Sequence, residues 1–147
     1  MLQKWMILLV CIFTLHGVVK AEDSKLIQME QLPATAQQFI KINFEGTAVS
    51  YVMQDEEGLF GKEYDVIFTN GNKVEFDRKG AWKQIDFKTG TIPSKMIPAQ
   101  IRTVIEQKHP DLQVKEMERD SKGYEIKMTN GIELRFNKKF ELVGYDH

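Results

Sequence analysis

The chain has 147 residues, enough for one ordinary domain or two very small ones, and 42% of its side chains are hydrophobic and 28% charged. That composition excludes a disordered chain, a collagen-like repeat and a multi-span membrane protein. Twenty basic and 21 acidic residues give a formal charge of −1 with no basic stripe, which excludes a nucleic-acid binder working through phosphate neutralisation.

Residues 1–21 have the pattern of a secretory signal peptide: Lys4, an apolar run from Trp5 to Leu15, and Val19 and Ala21 placed at −3 and −1 of a cleavage site. The run is too short for an uncleaved anchor, since crossing a bilayer takes about 18–20 apolar residues. Cys11 lies inside the run rather than behind a small residue at its end, which disfavours a lipid anchor. The expected location is periplasmic or secreted, with no membrane insertion after cleavage. Cleavage after Ala21 removes Lys4 and Lys20 from the twenty basic residues and leaves 18 against 21 acidic ones, a net charge of −3. It also removes the only cysteine, so a disulfide, a cysteine nucleophile and a thiolate metal site are unavailable.

The remainder contains one unit twice, residues 22–90 and 91–147. Leu32-Pro33-Ala34 recurs as Ile97-Pro98-Ala99, and the same 65-residue shift carries Phe39 to Val104, Ile40 to Ile105 and Val49 to Val114. Further on a 60-residue shift carries Tyr64-Asp65-Val66 to Tyr124-Glu125-Ile126, Thr69-Asn70-Gly71 to Thr129-Asn130-Gly131, and Phe76 to Phe136. The difference falls in the longer loop Asp55 to Lys62 of the first copy, as expected for an insertion confined to a turn.

Each copy opens with a helix, its proline set at the first helical position. The apolar face is Leu32, Ala36, Phe39 and Ile40 in one and Ile97, Ile101, Val104 and Ile105 in the other. Four strands follow, near 47–54, 62–69, 73–78 and 81–87, then near 112–119, 123–129, 132–137 and 140–146. Asn70-Gly71 and Asn130-Gly131 predict two-residue hairpin turns. Alternation of Tyr64, Val66 and Phe68 against Asp65, and of Tyr124, Ile126 and Met128 against Glu125 and Lys127, predicts one buried and one wet sheet face. The expected fold is α+β: two tandem α-β-β-β-β units joined into one antiparallel sheet with the helices on one face.

The stretch Lys62 to Asp86, through Asn70-Gly71 and Arg78-Lys79-Gly80-Ala81-Trp82, and its second copy from Gly123 to Phe140 resemble the PepSY-like family of periplasmic proteins of Bacteroidetes. That family is similar in architecture to the beta-lactamase inhibitor protein. Its PepSY relatives occur in propeptides of secreted metallopeptidases, where an inhibitory role has been proposed. The resemblance implies the fold and a protein-binding or inhibitory tendency, and supplies no catalytic residues.

The residues themselves advertise no chemistry. His109 and His147 belong to no metal-spacing motif, and His109 reads as a helix end. Ser24, Ser50, Ser94 and Ser121 fall in a tail, a strand or turns with no nucleophile elbow. Asp55-Glu56-Glu57 lacks the alternating ligands of a calcium loop and reads as a solvated turn. No enzyme activity, cofactor or metal is expected. Trp82, aligned with Leu142, is expected to be core or half-buried.

Alternation assigns Ile67, Ile85, Phe87, Val143 and Tyr145 to the sheet face away from the helices. Apolar and aromatic groups among charges there make a candidate surface for a protein or peptide partner. The competing account is that strand phase slips at these positions or that the two units pack there. The rival function, a small-ligand carrier or sensor accessory, requires an enclosed pocket of about 300 Å³ or more.

Overall fold

The computed structural model describes residues 24–56 and 61–147. The expected leader, residues 1–21, and residues 57–60 of the acidic loop lie outside the described residues.

Helix α1 spans Ala34–Asn43 and helix α2 Ala99–Lys108. Both prolines stand one position earlier than predicted, at the N-cap, with ψ of 141° at Pro33 and 135° at Pro98. Their carbonyls accept the first helical bonds, from the N–H groups of Gln37 and Arg102, while their missing N–H costs nothing there. Ala36 and Ile40 of α1 and Ile101 and Ile105 of α2 are buried, as the 3.6-residue period requires.

The strands are β1 (Ser24–Ile27), β2 (Val49–Asp55), β3 (Glu63–Phe68), β4 (Lys73–Phe76), β5 (Trp82–Asp86), β6 (Val114–Arg119), β7 (Gly123–Met128), β8 (Glu133–Asn137) and β9 (Leu142–Asp146). They form one nine-stranded sheet in chain order, each strand antiparallel to the next. The two units share it through β5 and β6, where Ile85 pairs with Met117. The two helices pack on one face, and the chain is thus the predicted α+β tandem. Strand β1 is additional: Ser24, read as tail, opens a strand that pairs with Asp55 at one edge.

A single core runs beneath both helices. Phe39 of α1 meets Phe76 edge-on at 5.7 Å, and Phe44 stacks on Phe68 at 4.3 Å while approaching Phe87 at 5.9 Å. Val66, Val74, Phe76, Met117, Ile126 and Leu134 are fully buried, and each large side chain so buried contributes about 1.5–3 kcal/mol.

The tight turns correct the two-residue prediction. At β3–β4 the Gly71 N–H donates to the Phe68 carbonyl and the Phe68 N–H to the Asn72 carbonyl. This closes a three-residue loop in which only the last residue, Gly71, has positive φ. The same pattern recurs at Asp77–Ala81, Met128–Ile132 and Asn137–Glu141. Side-chain oxygens of Asn70, Asp77, Asn130 and Asn137 accept from backbone N–H groups two residues on, which holds each turn.

Bulges also repeat. The pairing shifts between Glu75 and Phe76 and, sixty residues later, between Arg135 and Phe136. Glu75 pairs with Gln84 but Phe76 with Trp82, so Lys83 is an extra residue in β5. Val143 is its counterpart in β9, since Arg135 pairs with Gly144 and Phe136 with Leu142. An extra residue reverses the side-chain alternation beyond it. Trp82 and Ile85, three apart, therefore face the same way.

Candidate functional site

The reversal corrects three of the five surface assignments. Ile85 is 0% and Phe87 8% exposed, both in the core beneath the helices. Tyr145 pairs with Leu134, a core residue on the helix side, and its ring meets His109 at the end of α2, with the hydroxyl 3.4 Å from Nε2. It is 43% exposed, but not on the open face. Ile67 does face away from the helices, half-buried beside Tyr51. Val143, 61% exposed, stands at the β9 bulge next to Arg135. Trp82 is half-buried against the core, with the Arg119 guanidinium 4.2 Å from its ring centre.

The open face is built from the residues alternating with the core, in two cross-strand rows. One runs Leu26, Met53, Asp65, Glu75, Gln84, Glu118, Glu125, Arg135. The other runs Tyr51, Ile67, Lys73, Asp86, Glu116, Lys127, Glu133, Asp146. Its chemistry changes across the sheet.

At the β1–β3 end it is apolar: Leu26, 71% exposed, stands opposite Met53, and Tyr51 stands opposite Ile67 in the neighbouring row. The middle is ion-paired. The Lys73 ammonium lies 3.0 Å from Asp65 and 3.5 Å from Glu75, and Lys83 bridges Glu63 and Glu75. Burial opposes the charge on both lysines, but their carboxylate partners outweigh it and hold both pKa values above the ordinary range.

Beyond β5 the face is acidic. Glu118 and Glu125 stand opposite each other on β6 and β7, and among the described residues neither has a cation within salt-bridge distance. Lys127 is held by Glu133 at 3.6 Å and Arg135 by Asp146 at 3.0 Å, while Gln84 donates to Glu116. Partial burial, then the charges of Glu125, Glu116 and Asp120, raise the Glu118 pKa. Like charges directly opposite on a sheet are destabilising. A depression of about 340 Å³, open to solvent, lies beside this zone between Glu118, Glu125, Arg135 and Val143.

Among the described residues no group of three His, Cys, Asp or Glu side chains is placed to hold a metal, and no helix is long and apolar enough to cross a membrane. Leu26 carries no sequence signal, because β1 is only four residues long and shows no strand period. Nor does the Glu118–Glu125 opposition, because alternation marks a residue as outward-facing without saying what stands opposite it.

Residues 62–144 match the family model described as "Putative beta-lactamase-inhibitor-like, PepSY-like". The chain belongs to this family. A crystal structure of a "putative periplasmic protein from DUF2874 family", from Bacteroides vulgatus ATCC 8482, is 40% identical with a TM-score of 0.82, over 86% of this chain and 99% of that one. A "putative calcium-regulated periplasmic protein" from Bacteroides thetaiotaomicron is 45% identical with a TM-score of 0.80, over 84% and 97%. A third, from B. vulgatus and of unknown function, is 29% identical with a TM-score of 0.79, over 84% and 99%. No curated protein matches. These PepSY-like relatives support a periplasmic or secreted location, and the fold is consistent with a role in binding rather than catalysis.

Proposed function

We propose that this PepSY-like protein is exported by cleavage of residues 1–21 and works as a non-enzymatic binding module, holding a protein or peptide partner on the open face of its sheet. The observation that carries this reading is the face itself: nine strands wide, uncovered by either helix, with exposed Leu26 and Tyr51 and unneutralised Glu118 and Glu125 on one surface. The depression beside Glu118 opens to solvent, which suits an opposing protein surface better than the enclosed pocket a small-ligand carrier needs. The family description further suggests a role as inhibitor of a periplasmic or secreted enzyme such as a peptidase. The calcium regulation named for one relative is said of that protein alone.

Photo-crosslinking in the periplasm tests the reading. A photoreactive residue at Gln84, on the open face, should yield a discrete protein adduct, and one at Gln38, on the exposed side of α1, should not. An adduct from Gln38 alone, or from neither site, overturns the proposal.

A further inference from the structure

The open face carries its apolar and acidic zones at fixed places in one cross-strand row. Leu26 and Met53 lie on β1 and β2, Glu118 and Glu125 on β6 and β7. Neighbouring strands are about 4.7–4.9 Å apart, so the four steps from Met53 to Glu118 span about 19 Å. Between them Asp65, Glu75 and Glu63 are already ion-paired, sharing Lys73 and Lys83.

Resting on the binding role proposed above, we infer that the partner is a protein surface presenting an apolar contact and a Lys or Arg group about 19 Å apart, the first seated on Leu26, Tyr51, Met53 and Ile67 and the second between Glu118 and Glu125. A cation there makes charge-assisted hydrogen bonds to two carboxylates and removes their mutual repulsion. An uncharged partner would strip water from both carboxylates without replacing it, and an anionic one would be repelled. The ion-paired middle, whose two lysines are engaged within the sheet by three carboxylates, offers a partner's cation no carboxylate free of a bound lysine. The raised pKa of Glu118 agrees with a carboxylate lacking a cation in the free protein.

The probe is a fluorescent peptide in which Phe-Leu-Phe is joined to five lysines by a twelve-residue Gly-Ser linker, whose root-mean-square length is about 19 Å. The purified protein should bind it, and more weakly as salt rises. The pair Glu118→Gln and Glu125→Gln should weaken binding at least about fivefold, and so should Leu26→Ser with Met53→Ser. The pair Glu45→Gln and Glu106→Gln changes net charge equally on exposed residues beside the helices, and should leave affinity within about twofold. The variant carrying Glu118→Gln with Glu125→Gln loses a repulsion, so its thermal midpoint should not fall, which separates lost binding from lost folding.

The inference is overturned if the probe does not bind, if the helix-side pair weakens it as much as the open-face pairs, or if the same peptide with glutamates in place of lysines binds equally well. In each of these cases a crosslinked adduct from Gln84 would leave the binding role standing and remove only the assigned chemistry. An adduct from Gln38 alone would remove both.

Discussion

Gly80 and Phe140 close the same turn in the two units, sixty residues apart, both in the left-handed region with φ of 84° and 62°. At Gly80 the turn packs on the start of α1: an added Cβ would lie 2.8 Å from the Ala36 nitrogen and 2.9 Å from Pro33 Cβ. Gly80→Ala should therefore cost about 1–3 kcal/mol, from strain and from crowding against backbone. At Phe140 the ring stacks on Tyr124 at 5.3 Å, a contact worth about 0.5–1.5 kcal/mol that offsets strain of similar size. Phe140→Gly relieves the strain but removes both the stack and a half-buried ring packed against the core, so it should cost about 1–2 kcal/mol. Urea titration reads both, and a neutral Gly80→Ala would contradict the close packing of this turn on α1.

Phe76 and Phe136 hold equivalent places in the core and are almost inaccessible to solvent. Truncation of either to alanine should destabilise by about 3–5 kcal/mol. A loss under about 1 kcal/mol for one of them in denaturant titration would mean that the two units do not share a register.

Phe87 and Tyr145 should behave differently from each other. Phe87 packs against Phe44 in the core, so Phe87→Ala should cost about 3 kcal/mol or more. Tyr145, 43% exposed at the sheet edge, makes a long contact to His109, and Tyr145→Ala should cost less than about 1 kcal/mol. Thermal melts of the two single variants decide the assignment, and equal midpoints would refute it.

The Glu118 pKa is raised by partial burial and by its acidic neighbours. The folded protein therefore binds this proton more readily than the unfolded chain, and stability falls as pH rises from the unfolded pKa through the folded one. Glu118→Gln should melt above the parent protein at pH 8 and level with it at pH 3. The exposed setting keeps the gain small, under about 1 kcal/mol, and added salt should narrow it. A variant less stable than the parent at pH 8 would show that Glu118 has a favourable partner.

The native protein should begin at or near Glu22, because Val19 and Ala21 satisfy the cleavage rule. Such a product keeps β1 whole, since the strand starts at Ser24. Intact mass measures this, and retention of Met1 or a lipid on Cys11 would refute it.

The helices, the strands that follow them and the tandem order were legible in the chain. Apolar periods of 3.6 and 2 report which side of an element meets a core, and the 60- and 65-residue shifts repeat that report. The same periodicity failed at Ile85, Phe87 and Tyr145 for a definite reason. Each lies past a bulge whose extra residue, Lys83 or Val143, becomes visible only when Phe76 and Phe136 are paired with Trp82 and Leu142. One added residue turns every later side chain to the opposite face. The acidic zone was hidden likewise: Glu125 was legible as outward-facing, but whether an outward charge meets a cation, as Asp65 meets Lys73, or another carboxylate, as Glu125 meets Glu118, depends on strand register. Sequence alone determined the repeated unit and its buried side. Only the tertiary structure decided which groups share the open face, because electrostatic neighbours across a sheet are set by pairing between strands and not by order along them.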